Sequence, residues 1–301
     1  MFARRAGLLR VQQPFIKPNA LRPFSTTELG SGVKIAYDFF EPAKEATAKD
    51  APIVFIHGLF GSKRNNGSMS KVFARELNRP VYAIDLRNHG DSSHDPRHDY
   101  TALAEDVEGF LEKQNIKDST LIGHSMGAKT AMAVALRKKT PISNLISVDN
   151  APVDAALHSG FAKYVKGMKK IEEAGFKKQS EADAVLKEYE ESMPVRQFLL
   201  TNLMRGPDGV MKWRIPIKYL SDALNNMADF PFNNPDEARW EGPALFVRGT
   251  KSHYVADEML PTVGRFFPRF ELADVDCGHW VISEKPEDFR KAVVEFLQDK
   301  E

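Results

Sequence analysis

The chain has 301 residues, of which 42% are hydrophobic and 28% charged, and its formal net charge is +1. This composition is ordinary for a globular protein, and the charge balance gives no indication of a nucleic-acid partner. The single cysteine, Cys277, excludes internal disulfides and zinc sites with several cysteines, and no apolar run approaches the roughly 18 residues of a transmembrane helix.

Residues 1–31 differ from the rest of the chain in charge. They carry a net charge of +4, because five basic residues stand against Glu28 alone. Arginine-rich segments without early acidic residues are typical of mitochondrial transit peptides. The stretch "RPFSTTELGS" also resembles the two-step processing pattern of matrix proteins, in which an arginine lies two residues before the first cut and eight more residues are then removed. We predict that residues 1–31 are a disordered transit peptide for import into the matrix; the alternative is a disordered basic tail.

Predicted strands and helices alternate from residue 33 onward. The strands are short apolar runs of the kind buried in parallel sheets, and the helices carry apolar residues on one face. The predicted strands are 34–40 (at the sheet edge), 52–58, 81–86, 119–125, 144–152, 243–249 and 269–275. The predicted helices between and after them are 68–78, 101–115 with Thr101 as N-cap, 127–139, 256–266 and 286–298.

Residues 153–242 interrupt this alternation and contain no convincing strand. Their spacing predicts helices over 162–175, 181–191, 195–205 and 217–230. The chain is therefore predicted to be an α/β protein, with a mostly parallel sheet covered by helices on both faces. Residues 32–152 and 243–301 form this core, and residues 153–242 are a helical cap inserted before the penultimate strand. We interpret the lysine-rich stretch 163–178 as a solvated helix face; contact with phosphates or acidic lipids is the alternative.

The motif G-x-S-x-G occurs at residues 123–127, where a predicted strand meets a predicted helix. This context makes Ser125 a candidate nucleophile, because a sharp strand-to-helix turn exposes the serine oxygen at the sheet edge. Met126 N–H, at the start of the helix, would then stabilise a developing oxyanion. The loop "HGLFGS" follows an earlier strand, and Leu59 N–H in it is the candidate second donor. The alternatives are a structural turn at Ser125 and a simple chain reversal at 57–58.

A general base for Ser125 is expected after the last strand. Among the eight histidines, His279 in "CGHW" is the one in that place, so we predict that it exchanges the serine proton. His94 and His98 occur in "HDPRHDY" with two aspartates, but this loop lacks a recognised metal-ligand spacing. We interpret it as a polar loop and predict no metal site.

The segments "HGLFG", "DLRNHGDS" and "GHSMG" resemble the α/β-hydrolase superfamily over residues 33–298. "HGLFGSKRN", "DLRNHGDS" and "SVDNAP" resemble more specifically the branch of α/β-hydrolase domain-containing protein eleven, its bacterial esterase relatives and the yeast mitochondrial ethanol acetyltransferases. The resemblance implies the α/β-hydrolase fold and acyl-transfer chemistry. Asp85, Arg87 and Asp91 are interpreted as braces for their loop, and Trp280 as a packing partner of His279.

The acid of the triad departs from the usual superfamily pattern. The place after strand 243–249 that usually carries a carboxylate holds Ser252. Asp149 lies at the carboxyl end of the preceding strand, and the resembled branch uses an aspartate there. We therefore predict Asp149 as the acid. The alternatives are a loop-fixing role for Asp149, or Asp274 or Asp276 as the acid.

These residues predict a serine hydrolase that acts through an acyl-enzyme on small-molecule esters or thioesters of small or medium acyl groups. No cofactor is expected. One alternative is an alcohol acyltransferase that makes acetate esters from acetyl-CoA and ethanol, and another is a non-catalytic binding protein. Five apolar cap residues are read equally as the wall of an acyl pocket or as the cap's own core: Phe198, Leu199, Leu200, Leu203 and Met204. The sequence does not predict the oligomeric state.

Overall fold

The computed structural model describes residues 25–28, 32–44, 51–154 and 160–298. Within these ranges eight strands form one sheet and two more form a separate hairpin. The strands are β1 (Ser25–Glu28), β2 (Lys34–Phe40), β3 (Ile53–Ile56), β4 (Val81–Ile84), β5 (Thr120–His124), β6 (Asn144–Val148), the hairpin strands β7 (Leu203–Arg205) and β8 (Met211–Trp213), β9 (Ala244–Gly249) and β10 (Phe270–Val275).

The helices of the core alternate with these strands. They are α1 (Lys63–Glu76), α2 (Tyr100–Lys113), α3 (Met126–Arg137), α9 (Leu260–Phe266), α10 (Val281–Glu284) and α11 (Pro286–Gln298). Five further helices of the described ranges lie between β6 and β9: α4 (Gly160–Ala174), α5 (Gln179–Leu186), α6 (Met193–Leu200), α7 (Ile217–Asp222) and α8 (Leu224–Ala228). In the part of the chain that the structure describes, no helix combines the length and apolarity that a membrane crossing requires.

The sheet has the order β1-β2-β4-β3-β5-β6-β9-β10. Strand β2 pairs antiparallel with both β1 and β4, and all other neighbours are parallel. The central strands β3, β5 and β6 are buried along their whole length, as expected for parallel strands covered on both faces. The predicted fold class, a mostly parallel sheet with helices on both faces and a helical cap before the penultimate strand, is confirmed.

The side chains of β3 alternate between two apolar cores, one on each face of the sheet. On one face Phe55, Phe73 and Phe289 join β3 to α1 and α11, with ring centroids 5.8, 6.2 and 6.3 Å apart. On the other face the fully buried Val54 packs in one cluster with α2, α3 and the cap helices. Burial of each such aromatic side chain stabilises the fold by roughly 1.5–3 kcal/mol.

Four local predictions are wrong. Strand β2 is not the edge, because β1 pairs outside it; the other residues of the predicted leader, 1–24 and 29–31, lie outside the described residues. Helix α1 begins at Lys63 with Ser62 as its N-cap, five residues before the predicted start. Asp99, not Thr101, caps α2, since its side chain accepts a hydrogen bond from Ala102 N–H. The cap contains the hairpin β7–β8 where no strand was expected.

The parallel strands bring their carboxyl ends to one edge of the sheet, where ligand sites of such sheets form. Ser125 follows β5, Asp149 follows β6 and Ser252 comes soon after β9. His279 follows β10, and the loop 57–61 follows β3. The cap is inserted after β6, at this same edge.

Candidate active site

Ser125 lies in a sharp turn between β5 and α3. Its backbone has φ 55° and ψ −115°, which for a non-glycine residue costs about 1–3 kcal/mol. A Cβ on Gly123 would lie 2.1 Å from the carbonyl oxygen of Gly127, and a Cβ on Gly127 would lie 2.5 Å from that of Ile56. Both glycines are therefore required for this turn. The turn places Ser125 at the carboxyl end of β5, where 7% of the residue's surface is exposed.

The structure brings Ser125, His279 and Asp149 into one chain of hydrogen bonds. Nε2 of His279 lies 2.9 Å from Oγ of Ser125, and Nδ1 lies 2.7 Å from Oδ2 of Asp149. A carboxylate at Nδ1 favours the tautomer that carries its proton there, so Nε2 is left to accept the serine proton. The Asp149 side chain is fully buried and the His279 side chain is 14% exposed. This arrangement matches the geometry of a nucleophile, a base and an orienting acid.

Two further hydrogen bonds fix the Asp149 carboxylate. Its Oδ1 accepts from Gly249 N–H at 3.0 Å, and its Oδ2 accepts from the Ser252 hydroxyl at 2.5 Å. Ser252, at the place where the superfamily usually has its acid, thus hydrogen-bonds to the carboxylate of Asp149, which follows the neighbouring strand β6. Asp149 has φ 51°, and its N–H donates to the Val247 carbonyl at 2.8 Å. Asp149 therefore fixes its own loop, which was the alternative role considered for it, and also contacts His279.

The alternative acids are engaged elsewhere. Asp274 forms an ion pair with Arg248 at 2.7 Å. Asp276 forms an ion pair with Lys251 at 3.0 Å. Neither carboxylate hydrogen-bonds to His279, so the structure places Asp149 alone among these three aspartates on the imidazole.

The loop 57–61 passes close to Ser125. A Cβ on Gly58 would lie 3.2 Å from the Ser125 Cβ, so glycine permits this approach. Within the described part of the chain, the N–H groups of Leu59 and Met126 donate to no protein acceptor. Both residues are buried. Met126 is the first residue of α3, so its N–H has no acceptor within the helix. Both N–H groups are available for an oxyanion on a carbon bound to Ser125.

Comparison with known proteins identifies the family. A family model described as the alpha/beta hydrolase fold matches residues 51–286. This chain belongs to the α/β-hydrolase family. It is 39% identical to a probable alcohol acetyltransferase of Saccharomyces cerevisiae over 83% of this chain and 78% of that protein. It is 37% identical to the sn-1-specific diacylglycerol lipase ABHD11 of Xenopus tropicalis, over 88% of this chain and 82% of that protein.

A solved structure described as a marine microorganism esterase is also similar to this hydrolase. It has a TM-score of 0.78 and 29% sequence identity, and the match covers 87% of this chain and 98% of that one. The resemblance predicted from the motifs, with esterase and acetyltransferase relatives, is confirmed.

Other motif residues of the hydrolase act as predicted. The buried Asp85 accepts hydrogen bonds from the N–H and Nζ of Lys63 and from Asp91 N–H, which braces the loop after β4. Arg87 forms two hydrogen bonds with Asp106, at 2.5 and 2.7 Å. The Trp280 and His279 ring centroids are 5.7 Å apart.

In the described ranges no group of three or more metal-ligating side chains is found.

Three buried histidines around the site stay neutral at pH 7. Burial lowers the pKa of His57 and of His124 to about 4, and that of His89 to about 3. His124 Nε2 donates to the His279 carbonyl oxygen at 2.8 Å. A neutral His124 therefore holds the backbone of His279 and adds no positive charge beside its imidazole.

A cavity of about 520 Å³ lies between the loop 57–61, the start of α1, α6 and α10. His124 and Trp280, the chain neighbours of Ser125 and His279, line it, whereas the three hydrogen-bonded residues themselves do not. Its apolar wall is formed by Pro194, Val195, Phe198, Trp280 and Ile282. A volume of this size with a mostly apolar wall is typical of small-molecule sites.

Of the five apolar cap residues, one lines the cavity, three are buried in the core and one is exposed. Phe198 lines the cavity and its ring centroid lies 4.7 Å from that of Trp280. Leu199, Leu200 and Leu203 are buried in the core cluster, whereas Met204 is 44% exposed. Phe198 alone of the five therefore lines the cavity.

Two residues at the site were not found from the sequence. The Tyr254 ring packs against the His279 ring at a tilt of 34°, with a centroid distance of 4.3 Å. Asn202, in the cap, donates to the Phe60 carbonyl oxygen at 2.7 Å. Neither residue lies in a motif, and each contacts residues at least 25 positions away, so no local pattern signals its position.

Proposed function

We propose that the protein is a serine hydrolase that cleaves esters or thioesters through an acyl-enzyme on Ser125. The unbroken hydrogen-bonded chain from Ser125 through His279 to the buried Asp149 carries this proposal. A non-catalytic binding protein has no need for a strained serine aligned with a base and a buried acid, so that alternative is disfavoured.

In the first half of the proposed cycle, His279 Nε2 takes the Ser125 proton as Oγ attacks the carbonyl carbon. The carbonyl oxygen becomes an oxyanion that accepts hydrogen bonds from Leu59 N–H and Met126 N–H. Asp149 remains ionised and stabilises the imidazolium. His279 then gives the proton to the leaving oxygen or sulfur, the bond from that atom to the carbonyl carbon breaks, and the acyl-enzyme remains.

In the second half, an incoming hydroxyl attacks the acyl-enzyme while His279 takes its proton. His279 then returns this proton to Ser125 Oγ as the bond from Oγ to the carbonyl carbon breaks, which restores the free enzyme. If the hydroxyl is water, a carboxylic acid is released; if it is an alcohol, an ester is released. The same triad performs both reactions, so access of water to the acyl-enzyme decides between them. The apolar cavity beside His124 and Trp280 is proposed to take the apolar part of the substrate.

Alcohol acetyl transfer is the second candidate because the chain is 39% identical to a protein named a probable alcohol acetyltransferase. Purified protein incubated with acetyl-CoA, with and without ethanol, separates the two activities. Free CoA with no ethyl acetate indicates a thioesterase, and ethyl acetate formed in step with CoA indicates the transferase. If p-nitrophenyl acetate and acetyl-CoA are both left unchanged, or if Ser125→Ala retains the wild-type rate, the proposal is wrong.

We also propose that residues 1–31 direct the protein to the mitochondrial matrix, on the basis of their arginine content and their lack of early acidic residues. Cleavage after residue 31 would remove β1, which lies within this segment, and leave β2 as the edge strand of the sheet. Fusing residues 1–31 to a fluorescent protein tests the import, and mass spectrometry of the N-terminal peptide locates the cut. Diffuse fluorescence of the fusion would contradict the proposal.

A further inference from the structure

We infer that Asn202 of the cap is a positioning residue that holds the oxyanion loop in its working conformation. The oxyanion loop is defined here as residues 57–61, with the Leu59 N–H as the proposed donor. This inference rests on the proposed function. It starts from Phe60, which follows Leu59 directly and has φ 62°.

A bulky residue at such a φ is a backbone outlier that must be held by its surroundings. Two hydrogen bonds hold Phe60, one on each side. Its N–H donates to Nε2 of His89 at 3.1 Å, and its carbonyl oxygen accepts from Nδ2 of Asn202 at 2.7 Å. His89 and Asn202 are 0% and 2% exposed, so both hydrogen bonds are shielded from solvent.

The two partners come from different parts of the molecule. His89 belongs to the core loop after β4. It is neutral, since burial lowers its pKa to about 3, and its Nδ1–H donates to the Arg87 carbonyl at 2.9 Å. Its Nε2 is thus a permanent acceptor. Asn202 lies 142 positions from Phe60, between α6 and β7.

Asn202 is itself fixed to the cap and, through it, to the core. The backbone carbonyl oxygen of Asn202 accepts a hydrogen bond from Arg214 N–H at 2.8 Å. Its side-chain Nδ2 also donates to the Leu199 carbonyl oxygen at 3.3 Å. Both acceptors of Nδ2 are carbonyl oxygens, which settles the orientation of the amide. The Arg214 guanidinium pairs with Asp91 of the core. The cap therefore contacts Phe60 of the oxyanion loop in two ways: the Phe161 ring centroid lies 6.0 Å from that of the Phe60 ring, and the Asn202 amide provides the hydrogen bond to its backbone.

An oxyanion donor stabilises the transition state, so a small displacement of its N–H raises the activation free energy. Loss of the Asn202 bond should let the Phe60 backbone relax and move the adjacent Leu59 N–H. The consequence is a defect in kcat with little change in KM, because the substrate itself does not contact Asn202 in this account.

Asn202→Asp tests this with a side chain of the same size that cannot donate to the Phe60 carbonyl. Asn226→Asp is the matched control, since Asn226 is another cap asparagine whose Nδ2 donates to a core carbonyl, that of His98, at 3.1 Å. With p-nitrophenyl acetate, we expect kcat of Asn202→Asp to fall about 10- to 100-fold with KM within about twofold. The rate of inactivation by a fluorophosphonate should fall by the same factor. Asn226→Asp should keep kcat within about twofold of wild type.

Asn202→Ala, which removes the amide without adding a charge, should show the same loss of kcat if the aspartate variant does not fold. Thermal unfolding of each variant establishes that it is folded. A kcat of either folded Asn202 variant equal to that of Asn226→Asp, or a rise in KM at unchanged kcat, would overturn the inference. A wild-type protein inert to both the ester and the fluorophosphonate would instead overturn the proposed function.

Discussion

Replacing Asp149 by asparagine tests the acid of the proposed triad without changing its size. The carboxylate accepts hydrogen bonds from His279 Nδ1, Ser252 Oγ and Gly249 N–H. Since Gly249 N–H needs an acceptor, the amide oxygen of the introduced side chain stays on that side. The NH₂ group of the amide then faces Nδ1 of His279, forcing the imidazole proton onto Nε2. A protonated Nε2 cannot accept the proton of Ser125.

The expected result is a fall in kcat on the order of 10⁴-fold, as for the corresponding change in serine-protease triads. This equals about 5 kcal/mol of activation free energy. The kcat of each variant is measured from the hydrolysis of p-nitrophenyl acetate. Asp257→Asn serves as the control, because Asp257 is exposed and pairs with Arg248, and it should stay within about twofold of wild type. A folded Asp149→Asn enzyme within roughly tenfold of the wild-type kcat would refute the assignment.

Three further results are expected. Burial lowers the pKa of both His57 and His124 to about 4 from about 6.5 unfolded. The unfolded chain therefore binds more protons between these values, and the free energy of unfolding should fall by about 2 kcal/mol for each residue from about pH 7.5 to about pH 5. Urea unfolding at the two pH values measures this, and equal free energies would contradict it. Phe198→Ala should move the ester preference toward longer acyl chains because it enlarges the cavity, whereas the exposed Met204→Ala should not; identical chain-length profiles would argue against the cavity as the acyl site. Ser252→Ala removes one of three hydrogen bonds to the acid and should lower kcat by roughly tenfold, and a loss as large as that of Asp149→Asn would mean that Ser252 does more than support the acid.

The core and much of the site could be predicted from sequence because their signals are local. Buried parallel strands give continuous apolar runs, and the glycines around Ser125 are dictated by contacts of 2.1 and 2.5 Å that any Cβ would make. The order of the strands then places the end of β6 next to the ends of β5 and β9. That adjacency makes Asp149 a reachable partner for His279.

The elements that were missed depend on partners far away in the chain. Strand β1 has the sequence "STTE", which has no apolar alternation and owes its conformation to pairing with β2. The hairpin β7–β8 has strands of three residues each. Its one local signal is the turn "GPDG", where Gly209 has φ 77°. The contact of Asn202 with Phe60 has no local signal, because it forms when the cap folds onto the sheet.

The most direct test of the account is covalent labelling of the nucleophile. Wild-type protein and Ser125→Ala are incubated with a fluorophosphonate, digested and analysed by peptide mass spectrometry. The account predicts one phosphonylated peptide, the one that contains Ser125, and no adduct in the alanine variant. Folded wild-type protein that remains unlabelled, or an adduct that persists in Ser125→Ala, would contradict the claim that this serine is the activated nucleophile.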